Sequence, residues 1–266
     1  MRSTVAALAV LSTAPALAGI PDIYGITFSG ALIGIDASTG AATLIGTTGL
    51  FNCESLERDP ATGHLLAIAS HSPSFGGRRL YRINPVTAVP TFIGDSGFPW
   101  VEALAYNAGT GVMYASVSPG NDVTAEQLAT INITTGDATT IATTNMGDID
   151  AMACSPSGVL YASHLGSGVF GAMDPATGQV ASPMPGVPLL AALDFAPDGT
   201  LFASKLGSFE GTGPSSLYII DPATGAGTLV GSMGFSHVSG LVVNVPAPGA
   251  LGLLAGGACL AARRRR

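Results

Sequence analysis

Short apolar runs separated by turn-forming residues make up most of this chain. Leu217-Tyr218-Ile219-Ile220 ends at Asp221-Pro222-Ala223-Thr224-Gly225, and Asp36-Ala37-Ser38-Thr39-Gly40 leads into Thr43-Leu44-Ile45. Such runs are too short for amphipathic helices and have the length of strands. The turn phrase returns as Asn84-Pro85-Val86-Thr87-Ala88, Asn132-Ile133-Thr134-Thr135-Gly136 and Asp174-Pro175-Ala176-Thr177-Gly178. The five copies start 48, 48, 42 and 47 residues apart. Asp or Asn accepts a backbone N–H, Pro presets φ, and Gly takes the left-handed position, so each copy predicts a hairpin.

A second turn falls half a repeat away, at Asp59-Pro60-Ala61-Thr62-Gly63, Asn107-Ala108-Gly109-Thr110-Gly111, Ser155-Pro156-Ser157-Gly158 and Ala196-Pro197-Asp198-Gly199. Strands flank it too, among them Ala103-Leu104-Ala105-Tyr106 before and Val112-Met113-Tyr114-Ala115 after. Each repeat therefore holds four strands, a to d. Four antiparallel strands in ~40–50 residues is the pattern of a propeller blade. The fold expected is all-β: a five-bladed β-propeller over residues 19–244. The body opens on a strand b (Ile23-Tyr24-Gly25-Ile26) and closes on an unpartnered strand a (Gly240-Leu241-Val242-Val243). Pairing these two ends would complete the fifth blade and leave no open edge.

The two ends of the chain break the pattern. Residues 1–18 start with Arg2, continue through the apolar run 5–11 and finish at Ala16-Leu17-Ala18, the layout of a secretory signal peptide. Residues 245–266 hold Pro246 and Pro248, an apolar run over 249–262, and four arginines, 263–266. The arginines would stay on the cytoplasmic side. The run is 14 residues, against the ~20 that span a bilayer comfortably. This tail resembles the PEP-CTERM family of bacterial sorting signals, with Ala247 where the family carries Glu between the prolines. The resemblance implies export, transient membrane anchoring through a short hydrophobic helix, and cleavage by an exosortase-type peptidase. The propeller phrases resemble YVTN-type repeats of bacterial surface proteins, which implies the fold more than an activity.

Charge sharpens the picture once the ends are set aside. The body keeps five cations against all 17 acids, a net charge of −12. Such a surface repels nucleic acid and anionic membrane. Cys53 and Cys154 fall in repeats that are not neighbours, and no Cys or His pair has zinc spacing.

The topology assigns both short turn families to a bottom face. The d-to-a links and the variable b-to-c loops (70–79, 116–127 and 204–216) fall on the top face, where function on a rigid scaffold is expected. One top position recurs with chemistry. Strand a is entered through Glu54, Glu102, Asp150, Ala191 and Ser239. Three carboxylates at the channel mouth would suit Ca²⁺, a hard cation that takes oxygen ligands. The competing reading is a set of solvated junction residues too far apart to cooperate. Phe51, Phe98, Trp100 and Phe235 stand just before these positions. They are read either as a binding surface for a sugar or a protein or as seals between blades. His164 and Lys205 occupy matching places after strand b. Arg78 and Arg79 read as solvated loop charges, and the turn aspartates Asp36, Asp174 and Asp221 as parts of their own hairpins.

Two functions follow. The first is a non-enzymatic surface or envelope module that binds a glycan or an envelope protein through the top face. The alternative is a metal-assisted hydrolase or lyase, with a cation held by Glu54, Glu102 and Asp150.

Overall fold

In the computed structural model, residues 20–72, 78–120 and 126–244 are described. Among them the chain forms five four-stranded antiparallel sheets and no helix. Blade 1 is β20 (Val238–Val243), β1 (Ile23–Thr27), β2 (Ala31–Ile35) and β3 (Ala42–Thr47), in that order from the axis. Blade 2 runs β4 (Phe51–Arg58), β5 (Leu65–Ser70), β6 (Arg79–Ile83) and β7 (Pro90–Asp95). Blade 3 runs β8 (Trp100–Asn107), β9 (Val112–Ser118), β10 (Gln127–Ile131) and β11 (Ala138–Thr143). Blade 4 runs β12 (Ile149–Cys154), β13 (Leu160–His164), β14 (Val169–Met173) and β15 (Met184–Pro185). Blade 5 runs β16 (Leu190–Phe195), β17 (Leu201–Lys205), β18 (Pro214–Ile220) and β19 (Gly227–Ser236). Each first strand packs on the first strands of the two neighbouring blades, which closes the propeller. β20 pairs with β1 from Ile23↔Val243 to Thr27↔Val238, so the expected closure by the two ends of the body is present.

The shortest spacing, the 42 residues from Asn132 to Asp174, runs from the outer strand of blade 3 through β14, and it is short because only residues 165–168 join β13 to β14. The outer strand of blade 4 is reduced as well: β15 has two residues, beside an isolated bridge, Met173↔Val180.

The core is divided between the blades. Five apolar clusters each join two consecutive blades, such as Leu66, Ile68 and Leu80 of blade 2 with Val101, Met113 and Ala129 of blade 3. Burial of these faces is the main favourable term of the fold.

The repeated turn closes both its own hairpin and the seam to the next blade. Asp36 Oδ1 accepts the N–H groups of Ser38 and Thr39, each at 2.9 Å, and Gly40 sits at φ 74°. Asp174 and Asp221 also bond within their own hairpins, as expected, each accepting the N–H two residues on and the hydroxyl of the threonine three residues on. The pentapeptide Asp-Pro-Ala-Thr-Gly occurs in both turn families, with different surroundings. At Gly225 a Cβ would lie 2.8 Å from the Pro185 carbonyl oxygen of blade 4, whereas at Gly63 nothing lies within 4 Å. Glycine is needed at Gly225 for close approach as well as for its left-handed φ.

Candidate metal centre at the channel mouth

The mouth position is a β-bulge in each inner strand. Pairing skips Glu102 between Val101 and Ala103, Asp150 between Ile149 and Ala151, and Ala191 between Leu190 and Ala192. It skips Ser239 between Val238 and Gly240, and Glu54 within a longer slip from Phe51 to Ser55. A bulge frees a residue from the ladder and re-aims its side chain. In four blades the residue two positions earlier has a left-handed backbone: Asn52 (φ 48°), Asp148 (54°), Leu189 (68°) and His237 (50°). For residues other than glycine this conformation costs ~1–2 kcal/mol, and it sits where the chain turns into the channel.

The result is convergence. Glu54, Glu102 and Asp150 each offer a carboxylate oxygen, and these oxygens all lie within 4.8 Å of one another. The reading that kept them too far apart to cooperate is overturned by the bulges. Glu54 and Glu102 are buried and Asp150 is half-buried. Ca²⁺ binds oxygen at about 2.3–2.6 Å, so two ligands of one ion stand at most about 5 Å apart. The three residues fit that ion in both donor chemistry and spacing. In blades 1 and 5 the position is filled without charge: Ser239 Oγ donates to the Cys53 carbonyl oxygen at 2.6 Å, and Ala191 is apolar.

Burial pushes the Glu54 carboxyl up to about 8, helped by the charge of Glu102 and opposed by Arg78. Burial also raises Glu102. Asp150 stands well above the usual carboxylate range, through burial first and then the charges of Glu102 and Glu54. The cause is shared: several acids in one dry space cannot all ionise without a counter-charge.

Arg78 is one counter-charge, and its placement corrects the sequence reading. It is 1 % exposed, not a solvated loop cation. Its guanidinium donates to Glu54 at 2.6 Å and to the Asn52 carbonyl oxygen at 2.8 Å, and lies 4.5 Å from the centre of the Trp100 ring. Arg79 is the more exposed of the two, paired with Asp95 at 2.7 Å. Glu126, at the entry to β10, was not singled out from sequence. It is fully buried beside the mouth and burial pushes it up to about 8, with Ile149 N–H opposing and the Glu102 charge adding. The sequence signal was there: Arg78 and Glu126 hold the same place before strand c in adjacent repeats.

The aromatic residues divide. Phe98 and Phe235 pack against inter-blade clusters, Trp100 stacks with Arg78, and Phe51 is exposed. His164 and Lys205 do hold matching positions, opposite Ile149 and Leu190. His164 stands 3.4 Å from Asp148, and Lys205 Nζ donates to the Leu206 carbonyl oxygen at 3.4 Å. Neither belongs to the carboxylate cluster. Pro246 and Pro248 lie outside the described residues. Among the described residues no helix is long and apolar enough to cross a membrane.

The opposite mouth holds a cavity of about 450 Å³, lined in part by Glu57, Arg58, Tyr106, Cys154, Asp194 and Asn244. Here Glu57 accepts the N–H of Arg58 at 2.7 Å and of Tyr106 in β8 at 2.9 Å. Asp194 accepts the N–H of Phe195 at 2.8 Å and of Val243 in β20 at 2.7 Å.

No known protein family and no curated protein matches this chain. Solved structures are similar in fold. A chain of the nidogen/laminin complex aligns with TM-score 0.53 and 11% identity, over 82% of this chain and 96% of that one. Regucalcin, a calcium-binding protein of Agrobacterium tumefaciens, aligns with TM-score 0.46 and 15% identity over 70% of this chain and 66% of its own. Hydrazine synthase of Kuenenia stuttgartiensis aligns with TM-score 0.42 and 17% identity, over 69% and 49%.

Proposed function

We propose that this chain is an exported surface or envelope propeller that acts as a binding module through its top face. A divalent cation at the channel mouth, Ca²⁺ first, is the centre of that face. The observation that carries the reading is the convergence of Glu54, Glu102 and Asp150 oxygens within 4.8 Å. Three carboxylates from three blades, facing one partly dry space with a single arginine among them, leave an excess of negative charge. A hard cation would offset that charge. Export rests on the layout of the two ends of the chain, and the ligand classes expected are a glycan or an envelope protein. An exosortase-type peptidase would process residues 245–266. A metal-assisted hydrolase or lyase would use the same cation.

The test is thermal melting of the purified protein in chelator and in millimolar Ca²⁺, Mg²⁺, Mn²⁺ and Zn²⁺. A cation at 100 times its dissociation constant should add ~2.7 kcal/mol of stability. The rise should vanish in Glu102→Ala and Asp150→Ala. No rise with any of the four cations would remove the metal centre. The loaded protein would then be screened against glycans and against ester and glycoside substrates, which separates binding from turnover.

A further inference from the structure

Glu126 is held on one side only. Its Oε2 accepts the N–H of Ile149 at 2.8 Å and the hydroxyl of Ser116 at 3.0 Å. Its Oε1 is buried with no hydrogen-bond partner among the described residues. A buried acceptor left without a donor is costly, and more so when it is charged. The two donors fix where this carboxylate stands. Ile149 directly precedes Asp150, and Ser116 lies on β9, which pairs with the β8 strand that carries Glu102. Glu126 therefore sits behind the pair Glu102 and Asp150, and its charge acts on Asp150 while that of Glu102 acts on it.

The repeat makes this placement specific. The carbonyl before strand c receives a backbone N–H from the d-to-a link in four blades: Thr48 to Gly30, Ser96 to Arg78, Thr144 to Glu126 and Gly186 to Gly168. Glycine fills the position in blades 1 and 4. Only blades 2 and 3 place a charged side chain there. Arg78 pairs with Glu54, and Glu126 is left facing the other two acids.

We propose that Glu126 is a positioning carboxylate of the mouth site, whose free Oε1 holds a water that coordinates a cation between Glu102 and Asp150. The proposal rests on the mouth being a cation site. Outer-layer carboxylates of this kind fix ligands by hydrogen bonding, and their loss weakens metal affinity about 10–100-fold.

Terbium(III) luminescence provides the readout, because Trp100 is the only tryptophan in the chain and stacks on Arg78 at the site. Terbium and, by competition, Ca²⁺ affinities would be measured on the purified protein, on Glu126→Gln and on Ser116→Ala. Melting in chelator would be recorded for each. Glu126→Gln should melt in chelator at or above the parent temperature, since the amide never has to hold a buried charge. Its cation affinity should nevertheless fall about 10–100-fold. A residue with only a structural role would not move the two quantities in opposite directions. Ser116→Ala, which takes one of the two donors from Oε2 without removing the carboxylate, should weaken binding several-fold and serves if Glu126→Gln does not fold. Parent-like affinity in the folded Glu126→Gln, or in Ser116→Ala if Glu126→Gln does not fold, overturns the role of Glu126 while leaving the mouth site intact. A parent protein that takes up neither terbium nor Ca²⁺ overturns both.

Discussion

Glu57 and Asp194 stand three residues further along their inner strands than Glu54 and Ala191, at the bottom of the same channel. Both ends thus carry acids on strand a, buried or half-buried at the top and half-buried at the bottom, and the two sets are bonded in opposite ways. At the bottom, both oxygens of each carboxylate accept a backbone N–H, one from the next residue and one from the inner strand of the next blade. Those acids lock blade 2 to blade 3 and blade 5 to blade 1. At the top, the bulges lift Glu54, Glu102 and Asp150 out of the ladder, and among the described residues no backbone N–H donates to their carboxylate oxygens. A buried acid whose lone pairs are taken up by the backbone is part of the scaffold. One that is aimed at other acids is ready for a ligand.

The largest difference between the ends should appear in cation affinity. Glu102→Gln and Asp150→Asn should each weaken Ca²⁺ binding by at least about 100-fold, ~2.7 kcal/mol. Glu57→Gln and Asp194→Asn should leave it unchanged. Titration calorimetry on the four variants decides this. Equal losses from the two ends would mean that affinity reflects the acidity of the whole channel and not a site.

Cation-free stability should reverse the ranking. Glu57→Ala strands the N–H groups of Arg58 and Tyr106, and Asp194→Ala those of Phe195 and Val243, so each should cost about 1–3 kcal/mol. Glu102→Gln and Asp150→Asn remove like-charge repulsion and should be neutral or stabilising in chelator. Denaturant unfolding in chelator measures both. If the bottom variants unfold like the parent, their hydrogen bonds do not clamp the blades.

How far each end was legible in sequence follows from the range of its interactions. The propeller and its closure were readable because the Asp-Pro-Ala-Thr-Gly chemistry is local and repeats. The same alignment of repeats placed Glu54, Glu102 and Asp150 at one position. That they converge was not readable, because a bulge has no phrase of its own. Arg78 and Glu126 share one place before strand c, 48 residues apart, but the loops ahead of them carry no repeated phrase, so their position was legible by spacing alone and their burial was not. The clamps of Glu57 and Asp194 join groups 49 residues apart on different blades. Their trace in the sequence is a charge inside an apolar inner strand, as in Leu193-Asp194-Phe195.

The smallest expected effect is on the pH dependence of stability, and it separates the ends again. Burial is the leading cause that pushes Glu57 up to about 7 and Glu54 and Glu126 up to about 8. In the unfolded chain these groups titrate near ~4.3. Between those limits the folded state holds more protons than the unfolded state, so stability falls as pH rises. This contribution is fully present below the unfolded value and is lost as pH climbs through 7 to 8. The turn aspartates Asp36, Asp174 and Asp221 are lowered by their hairpin hydrogen bonds, so their contribution changes only at more acid pH. The cation-free protein should therefore melt several degrees lower at pH 8.5 than at pH 5. Saturating Ca²⁺ replaces protons at the top, so its stabilisation grows with pH and flattens that part of the slope. The Glu57 part has no cation to replace its proton and should persist in Ca²⁺ until Glu57→Gln removes it. Melting curves across this range, with and without Ca²⁺, would show the same slope in both media if the cation bound anywhere but at the mouth carboxylates.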